Sequence, residues 1–294
     1  MNKVLSGKYW TSYTSPEWMA IKISTAVFWL MILHSSNINM EAIPYPCGIF
    51  SVVNASFLAS KYTLPVSSAF ALLLAVLYIA EKRMAITTFL MFLLSLVLFT
   101  LEESNGILNR NSLYTMIFLA QAIAYYRNGT RLNEERIQFP IQFIAGGYIL
   151  AGLSKLKVSG LGWVSDAPLV SIQILKGYCY NYFTTGDIKQ LQRGMMQAGF
   201  VLNHKLIIEC MCGGSLFLEL FAWIAVKNKL TAFVYGVLLT CMHIGINFAM
   251  NILIGAVFFP MLFFMINPLY LIYLLLSRLY ASLRPPSAAN TDTA

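Results

Sequence analysis

Residues 84–101 read MAITTFLMFLLSLVLFTL, eighteen consecutive positions without a charged side chain. In lipid a backbone has to satisfy its own hydrogen bonds, and a helix of roughly 20 apolar residues, with a working range of about 17 to 25, crosses the hydrocarbon. The stretch therefore predicts a transmembrane helix, and the rest of the chain repeats the pattern. Of 294 residues, 58% are hydrophobic and 11% charged. The mean hydropathy is +0.67. These values lie outside the range of a soluble globular domain. Apolar runs extend from residue 19 to residue 277 with no long polar block between them, which leaves no room for a sizeable soluble domain.

The length criterion predicts eight spans, near 18–34, 64–81, 84–101, 112–127, 138–155, 206–226, 230–248 and 252–270. They form one all-α polytopic bundle over residues 1–284, followed by a tail, 285–294, of disorder-like composition. The shorter, more polar stretch CGIFSVVNASFLAS (47–60) reads as interfacial or re-entrant. No internal repeat is evident, and the N-terminus lacks the apolar centre and cleavage site of a secretory signal.

The net charge of +8 does not imply nucleic acid, because in such a chain basic residues are expected at helix ends, against lipid headgroups. With the N-terminus inside, the inner segments hold eleven of the twenty Lys and Arg residues. The short outer loops then hold only Lys61 and Arg110. This predicts cytoplasmic N- and C-termini and puts Lys155 at the outer end of span five. The connection 156–205 is the only extramembrane segment long enough for its own structure. Its stretches ILKGYCYNYF and DIKQLQRGMMQAGFVL read as amphipathic helices lying on the outer membrane surface. The five cysteines are assigned to packing, since the pair Cys210 and Cys212 has no second pair to complete a zinc site.

A charge within the bilayer costs on the order of 2.5 to 3.5 kcal/mol on insertion scales, so each one needs a reason. Glu209 and Glu219 lie in span six. His243, Asn247 and Asn251 follow at four-residue steps and share one helical face. Glu102, Glu103, Asn109, Arg110 and Asn111 gather where span three gives way to span four. With Lys155, these residues predict one outward-facing polar cavity. Two readings stand for each. Lys155 either snorkels to the interface or acts as a base. His243 is either a satisfied core histidine or a site residue, and Glu209 either a structural partner for a lysine or part of the cavity. Glu219 suits a hydrogen bond between helices, and Gly146, Gly147 and Gly152 suit close helix contacts. Trp163, Tyr178, Tyr180, Tyr182 and Phe183 either anchor their segment at the interface or stack on a ring.

YILAGLSKLKVSGLGWV (148–164) resembles the stretch of vitamin K-dependent gamma-glutamyl carboxylases in which a membrane helix ends A-G-x-x-K-L, followed by a spacer and Trp. HIGINFAMNILIGAVFFPMLFFMINPLY (243–270) is similar to that family's late block, with Gly255, Phe259, Pro260 and Pro268 in matching order. NRNSLYTMIFLAQ (109–121) and GGSLFLELFAW (213–223) are weaker matches. The wider group is the carboxylase-like, or horizontally transferred transmembrane, domain family of bacteria. The resemblance implies a bacterial inner-membrane enzyme that acts on a quinol or other lipid-soluble substrate at the outer leaflet. Menaquinol or vitamin K hydroquinone is the implied cofactor, and no metal is needed. Lys155 would be the general base. Asn109, Arg110, Glu209, His243, Asn247 and Trp163 would line the substrate pocket. Asn109-Arg110 stands where the family carries Asn-His, and arginine does not shuttle protons as histidine does. The family's large extramembrane portion has no counterpart here, so a protein partner would have to supply it. The rival expectations are a non-catalytic membrane subunit or lipid-binding partner with the same fold, and, third, a transporter.

Overall fold

The computed structural model describes residues 12–35, 45–54, 56–58, 60–105, 111–127, 132–165, 167–250 and 255–283. Among the described residues every regular element is helical. In order they are α1 (Ser15–Ser35), α2 (Thr63–Ile79), α3 (Met84–Ser104), α4 (Ser112–Arg127), α5 (Leu132–Ser159), α6 (Gly162–Ser165), α7 (Ala167–Thr185), α8 (Ile188–Asn203), α9 (Lys205–Leu220), α10 (Lys229–Met250), α11 (Gly255–Met261) and α12 (Pro268–Leu283). Single 3-10 turns cover Gly48–Ser51, Ser56–Leu58 and Ala222–Val226, and a π-helical turn, Leu262–Ile266, follows α11. The C-terminal tail expected at 285–294 lies outside the described residues.

Among the described residues, five helical stretches are long and apolar enough to cross a membrane: Ser15–His34, Met84–Ser104, Glu134–Ser159, Lys229–Asn247 and Phe258–Tyr280. A sixth is added if the bent pair α8–α9 counts as one. This is the architecture of an integral membrane protein, and these helices account for five or six of the eight expected spans. Three of the expected spans are short. α2 has 17 residues, and α4 and α9 have 16 each. That is about 24–26 Å of helix against a hydrocarbon core of roughly 30 Å. The last apolar stretch also runs beyond residue 270. Asn267 takes a left-handed conformation (φ 54), and the helix restarts at Pro268, whose fixed φ suits a first helical position.

Large aromatic side chains fill the centre, where Trp18, Trp29, Tyr78, Phe99, Tyr114 and Phe118 are fully buried. Buried polar aromatics need partners. Trp29 Nε1 donates to Ser95 Oγ at 2.8 Å. Tyr114 OH donates to the Thr25 carbonyl at 2.6 Å, and Tyr78 OH to Gln121 Oε1 at 3.0 Å.

One end of the bundle is cross-tied around the turn between α2 and α3. Glu81 and Arg83 both sit in the left-handed region, at φ 54 and 47, which is uncommon outside glycine. Polar bonds hold the turn in place. Lys22 has no exposed surface, yet its Nζ lies 2.8 Å from Glu81 Oε1 and donates to the Ile79 carbonyl at 2.9 Å. Trp18 Nε1 donates to the same carboxylate oxygen at 2.7 Å, and the Arg136 guanidinium stands 4.6 Å over the Trp18 ring. A second tie joins α1 to α10 and α12. Lys229 Nζ meets Glu17 Oε2 at 2.8 Å, and Asn267 Nδ2 donates to the Glu17 carbonyl at 2.9 Å.

At Glu81, partial burial acts to raise the carboxyl pKa. Hydrogen bonds from Lys22 and Trp18, with the charges of Lys22 and Arg136, more than offset it and hold the group below the usual carboxylate range. A depressed folded-state pKa gives stability that is present above the unfolded pKa and lost as pH falls through the folded one. The melting temperature of the wild type in detergent should therefore drop as pH is lowered below about 4. Glu81→Gln should show a smaller drop over that window; an equal drop would place the titrating groups elsewhere.

Candidate active site

α5 is the longest helix, with 28 residues. It runs on through Pro140, Gly146, Gly147 and Gly152, residues of low helix propensity, while packed against α4, α9 and the Ala222–Val226 turn. Arg136 sits at the cross-tied end and Lys155 near the other. At 1.5 Å per residue the two are separated by about 28 Å, nearly the thickness of the hydrocarbon.

Gly152 sets the approach of α5 to α9. A Cβ there would meet Leu220 Cδ2 at 3.1 Å and Glu219 Cβ at 3.2 Å. This proximity brings Lys155, three residues on, against Glu219. The ammonium nitrogen lies 2.5 Å from Oε1 and 2.7 Å from Oε2, a two-pronged ion pair. Glu219 is almost fully buried, at 6% exposure, and Lys155 is half-buried at 23%. Trp163, placed by the short helix α6, lies on the other side, with its ring centroid 5.0 Å from the same nitrogen. Trp163 thus contacts the lysine, and its Nε1 is buried without a hydrogen-bond partner among the described residues.

About two turns earlier on α5, Tyr148 OH and His243 Nε2 share a hydrogen bond of 2.5 Å, and the hydroxyl also reaches Met261 Sδ at 3.6 Å. Both residues are buried. His243 Nδ1 has no partner among the described residues. Whichever ring nitrogen carries the proton, one hydrogen-bonding position of the imidazole is left unfilled.

Glu219, Tyr148 and His243 all line one cavity of about 780 Å³. Its other walls include Leu113 and Met116 of α4, and Gln142, Phe143, Gly146, Gly147, Leu150 and Ala151 of α5. Gln142, Leu150 and Ala151 are exposed, so the mouth opens on the side of the bundle. Apolar walls with a few convergent polar groups are the usual make-up of a small-molecule site.

The other residues singled out in the sequence take the following places. Glu209 is not part of this site; it pairs with Lys205 one helical turn away, at 3.5 Å. Its place beside Lys155 is taken by Glu219. Asn247 is exposed and does not line the cavity, although His243 on the same face does. Gly147 and Gly152 make the close contacts expected of them. Gly146 does not, since a Cβ there would meet nothing within 4 Å, and it forms cavity wall instead. Tyr178 is buried against Gly194. Asn109, Arg110 and Asn251 lie outside the described residues. The residue that sequence reasoning missed is Tyr148. Its signal was present, because positions seven apart on a helix share a face, and Tyr148 stands seven before Lys155.

Against known proteins, no family model matches this chain, and searches of curated proteins and of solved structures find no match either.

Proposed function

We propose that this chain is a carboxylase-like membrane enzyme that takes a quinol, or another lipid-soluble molecule with an acidic hydroxyl, into the side-opening cavity. The observation that carries the reading is the Lys155–Glu219 pair at the wall of a cavity that also holds Tyr148 and His243. When bound, a quinol supplies a weakly acidic aromatic hydroxyl as the proton donor. Glu219 is the member of the pair that faces the cavity, and Lys155 is one hydrogen bond behind it. In the neutral form of the pair, an amine beside a carboxylic acid, Glu219 takes the ligand's proton on one oxygen and passes its own from the other to Lys155, which ends as the ammonium. Tyr148 and the open position on His243 orient the ligand's polar end. Leu113, Met116, Phe143 and Leu150 suit its apolar body, and the lateral mouth suits entry from lipid.

The reading keeps eight passes with cytoplasmic termini in a bacterial inner membrane. α2, α4 and α9 would then cross where the bilayer thins locally around short helices. It also keeps menaquinol as the cofactor, and a protein partner that supplies an acceptor for chemistry at the outer face. The cross-tied end at Glu81 and Glu17 speaks against a transport path through the bundle.

A second reading has its own support. A two-pronged ion pair across a close helix contact also serves as a structural clamp, as in a non-catalytic subunit or lipid-binding partner. Gly146→Leu tests the ligand half of the proposal without touching the pair. The added side chain has room to extend into the cavity and should leave the melting temperature within a few degrees of wild type. Native mass spectrometry with lipid extraction should find an isoprenoid quinone on the wild type and at least tenfold less on the variant. Equal quinone on both, or none on either, would move the assignment to the subunit reading.

A further inference from the structure

α7 and α8 form a hairpin closed at Gly186, which has φ +70. Asp187 caps α8 by accepting from the Lys189 amide at 3.0 Å. The hairpin has its own small core of Ile174, Tyr178, Ala198 and Val201, completed by Ile208 of α9. The two helices lie close because position 194 is glycine; a Cβ there would come within 2.6 Å of Tyr178 Cβ. Chiefly α9 and α10 connect this unit to the rest of the bundle.

α8 meets α9 at 87°. α9 packs along α5, the long helix of the bundle, so α8 runs across the bundle's direction. Its composition agrees. Lys189, Gln190, Gln192, Arg193, Gln197 and Asn203 are too many polar groups for a helix inside hydrocarbon. α8 is therefore no half of a broken span.

Its exposed surface is ordered. Ile188, Met195 and Leu202 are 51%, 62% and 53% exposed and recur every seven residues, which places them in one line. On α7, exposed Leu169, Ile172 and Tyr180 form a second line, with Lys176 between Ile172 and Tyr180 at helical spacing. Lys189 and Arg193 are exposed beside the apolar line of α8. The only acidic residue between 167 and 203 is Asp187, already engaged as the cap. Apolar lines flanked by three cations and no free acid complement one kind of surface, a leaflet of acidic phospholipid.

We propose that the α7–α8 hairpin lies in the headgroup layer, with Ile188, Met195, Leu202, Leu169 and Ile172 dipping into the acyl boundary. Lys176, Lys189 and Arg193 bind the phosphates of anionic lipid. This inference does not depend on the chemistry proposed for the cavity.

Amide hydrogen exchange of the full chain in nanodiscs tests it. Wild type is compared in phosphatidylcholine alone and in phosphatidylcholine mixed with phosphatidylglycerol. Exchange over 188–203 should slow several-fold on adding the anionic lipid, while the central part of α5 stays unchanged. A chain carrying Lys176→Gln, Lys189→Gln and Arg193→Gln, all at exposed positions, should show no slowing. Met195→Glu should raise exchange of α8 in both lipids by putting a charge in the acyl boundary. Exchange that ignores lipid charge in the wild type overturns the proposal. So does a nanodisc holding two chains in which α8 is protected in either lipid, since a second copy would then cover the face.

Discussion

Lys155→Met should abolish turnover of a quinol substrate and also cost roughly 3 kcal/mol of stability, toward the low end of the range for breaking a buried ion pair. The low end applies because Lys155 is 23% exposed, so water already screens part of the pair. The loss arises from the partner left behind. Glu219 is 6% exposed and holds Lys155 with both oxygens, and without the ammonium it is a buried carboxylate with no counter-charge. Adding Glu219→Gln to Lys155→Met should return most of the stability and none of the turnover. Lys155→Arg should keep the pairing and lose the turnover, because a guanidinium does not deprotonate in proteins. Chemical unfolding in detergent and a turnover assay read the two effects separately. Wild-type turnover in Lys155→Arg would remove the lysine from the chemistry. Wild-type stability in Lys155→Met would mean that the two groups do not form a buried pair in solution.

Glu81→Gln should be about as damaging, roughly 3 kcal/mol, the low end again applying because its side chain is 46% exposed and partly screened. What decides the magnitude is Lys22, which has no exposure and is enclosed within α1, so its ammonium cannot snorkel to water. The amide of glutamine would still accept from Trp18, but it would bring no charge to Lys22. Lys22→Met should cost far less, under about 1 kcal/mol, because an apolar side chain of similar size removes the buried charge along with the bond. Glu81 would then keep Trp18 and the nearby Arg136. Equal losses in the two variants would show that the carboxylate, not the lysine, is the strained partner.

The helices themselves were readable as apolar runs: α1, α3, α4 and α10 fall close to the expected limits, while α5 runs beyond 138–155 at both ends. Five or six of the eight expected spans are long apolar helices among the described residues, because hydropathy marks where a run is apolar but not where a helix stops. α2 ends at Ile79 and α9 at Leu220, short of the expected limits, whereas α4 covers 112–127 as expected. Lys155 was readable through its resemblance to a lysine motif. Its partner was not, because Glu209 and Glu219 both lie on α9, ten residues apart. Ten residues turn a helix by about 1,000° and raise it by about 15 Å, so the two acids face directions that differ by about 80° and sit at different depths. Which of them meets α5 depends on Gly152, whose close approach to Leu220 sets both height and phase. Tyr148 and His243 meet across a sequence separation of 95, and nothing local to either residue announces the other.

The buried lysine of the first helix also imposes an order of events during synthesis. Lys22 leaves the ribosome well before Glu81. At about 5–20 residues per second, the carboxylate arrives some 3 to 12 seconds later. Through that interval α1 carries a charge that costs on the order of 2.5 to 3.5 kcal/mol to place in lipid. The nascent helix is therefore best held against a protein or aqueous surface until the turn after α2 emerges. Glu17 waits longer still, since Lys229 follows by 212 residues and Asn267 by 250. Glu17 of α1 is thus paired only once α10 has been made, and a chain halted before α10 would leave an acid meant for the interior without its cation.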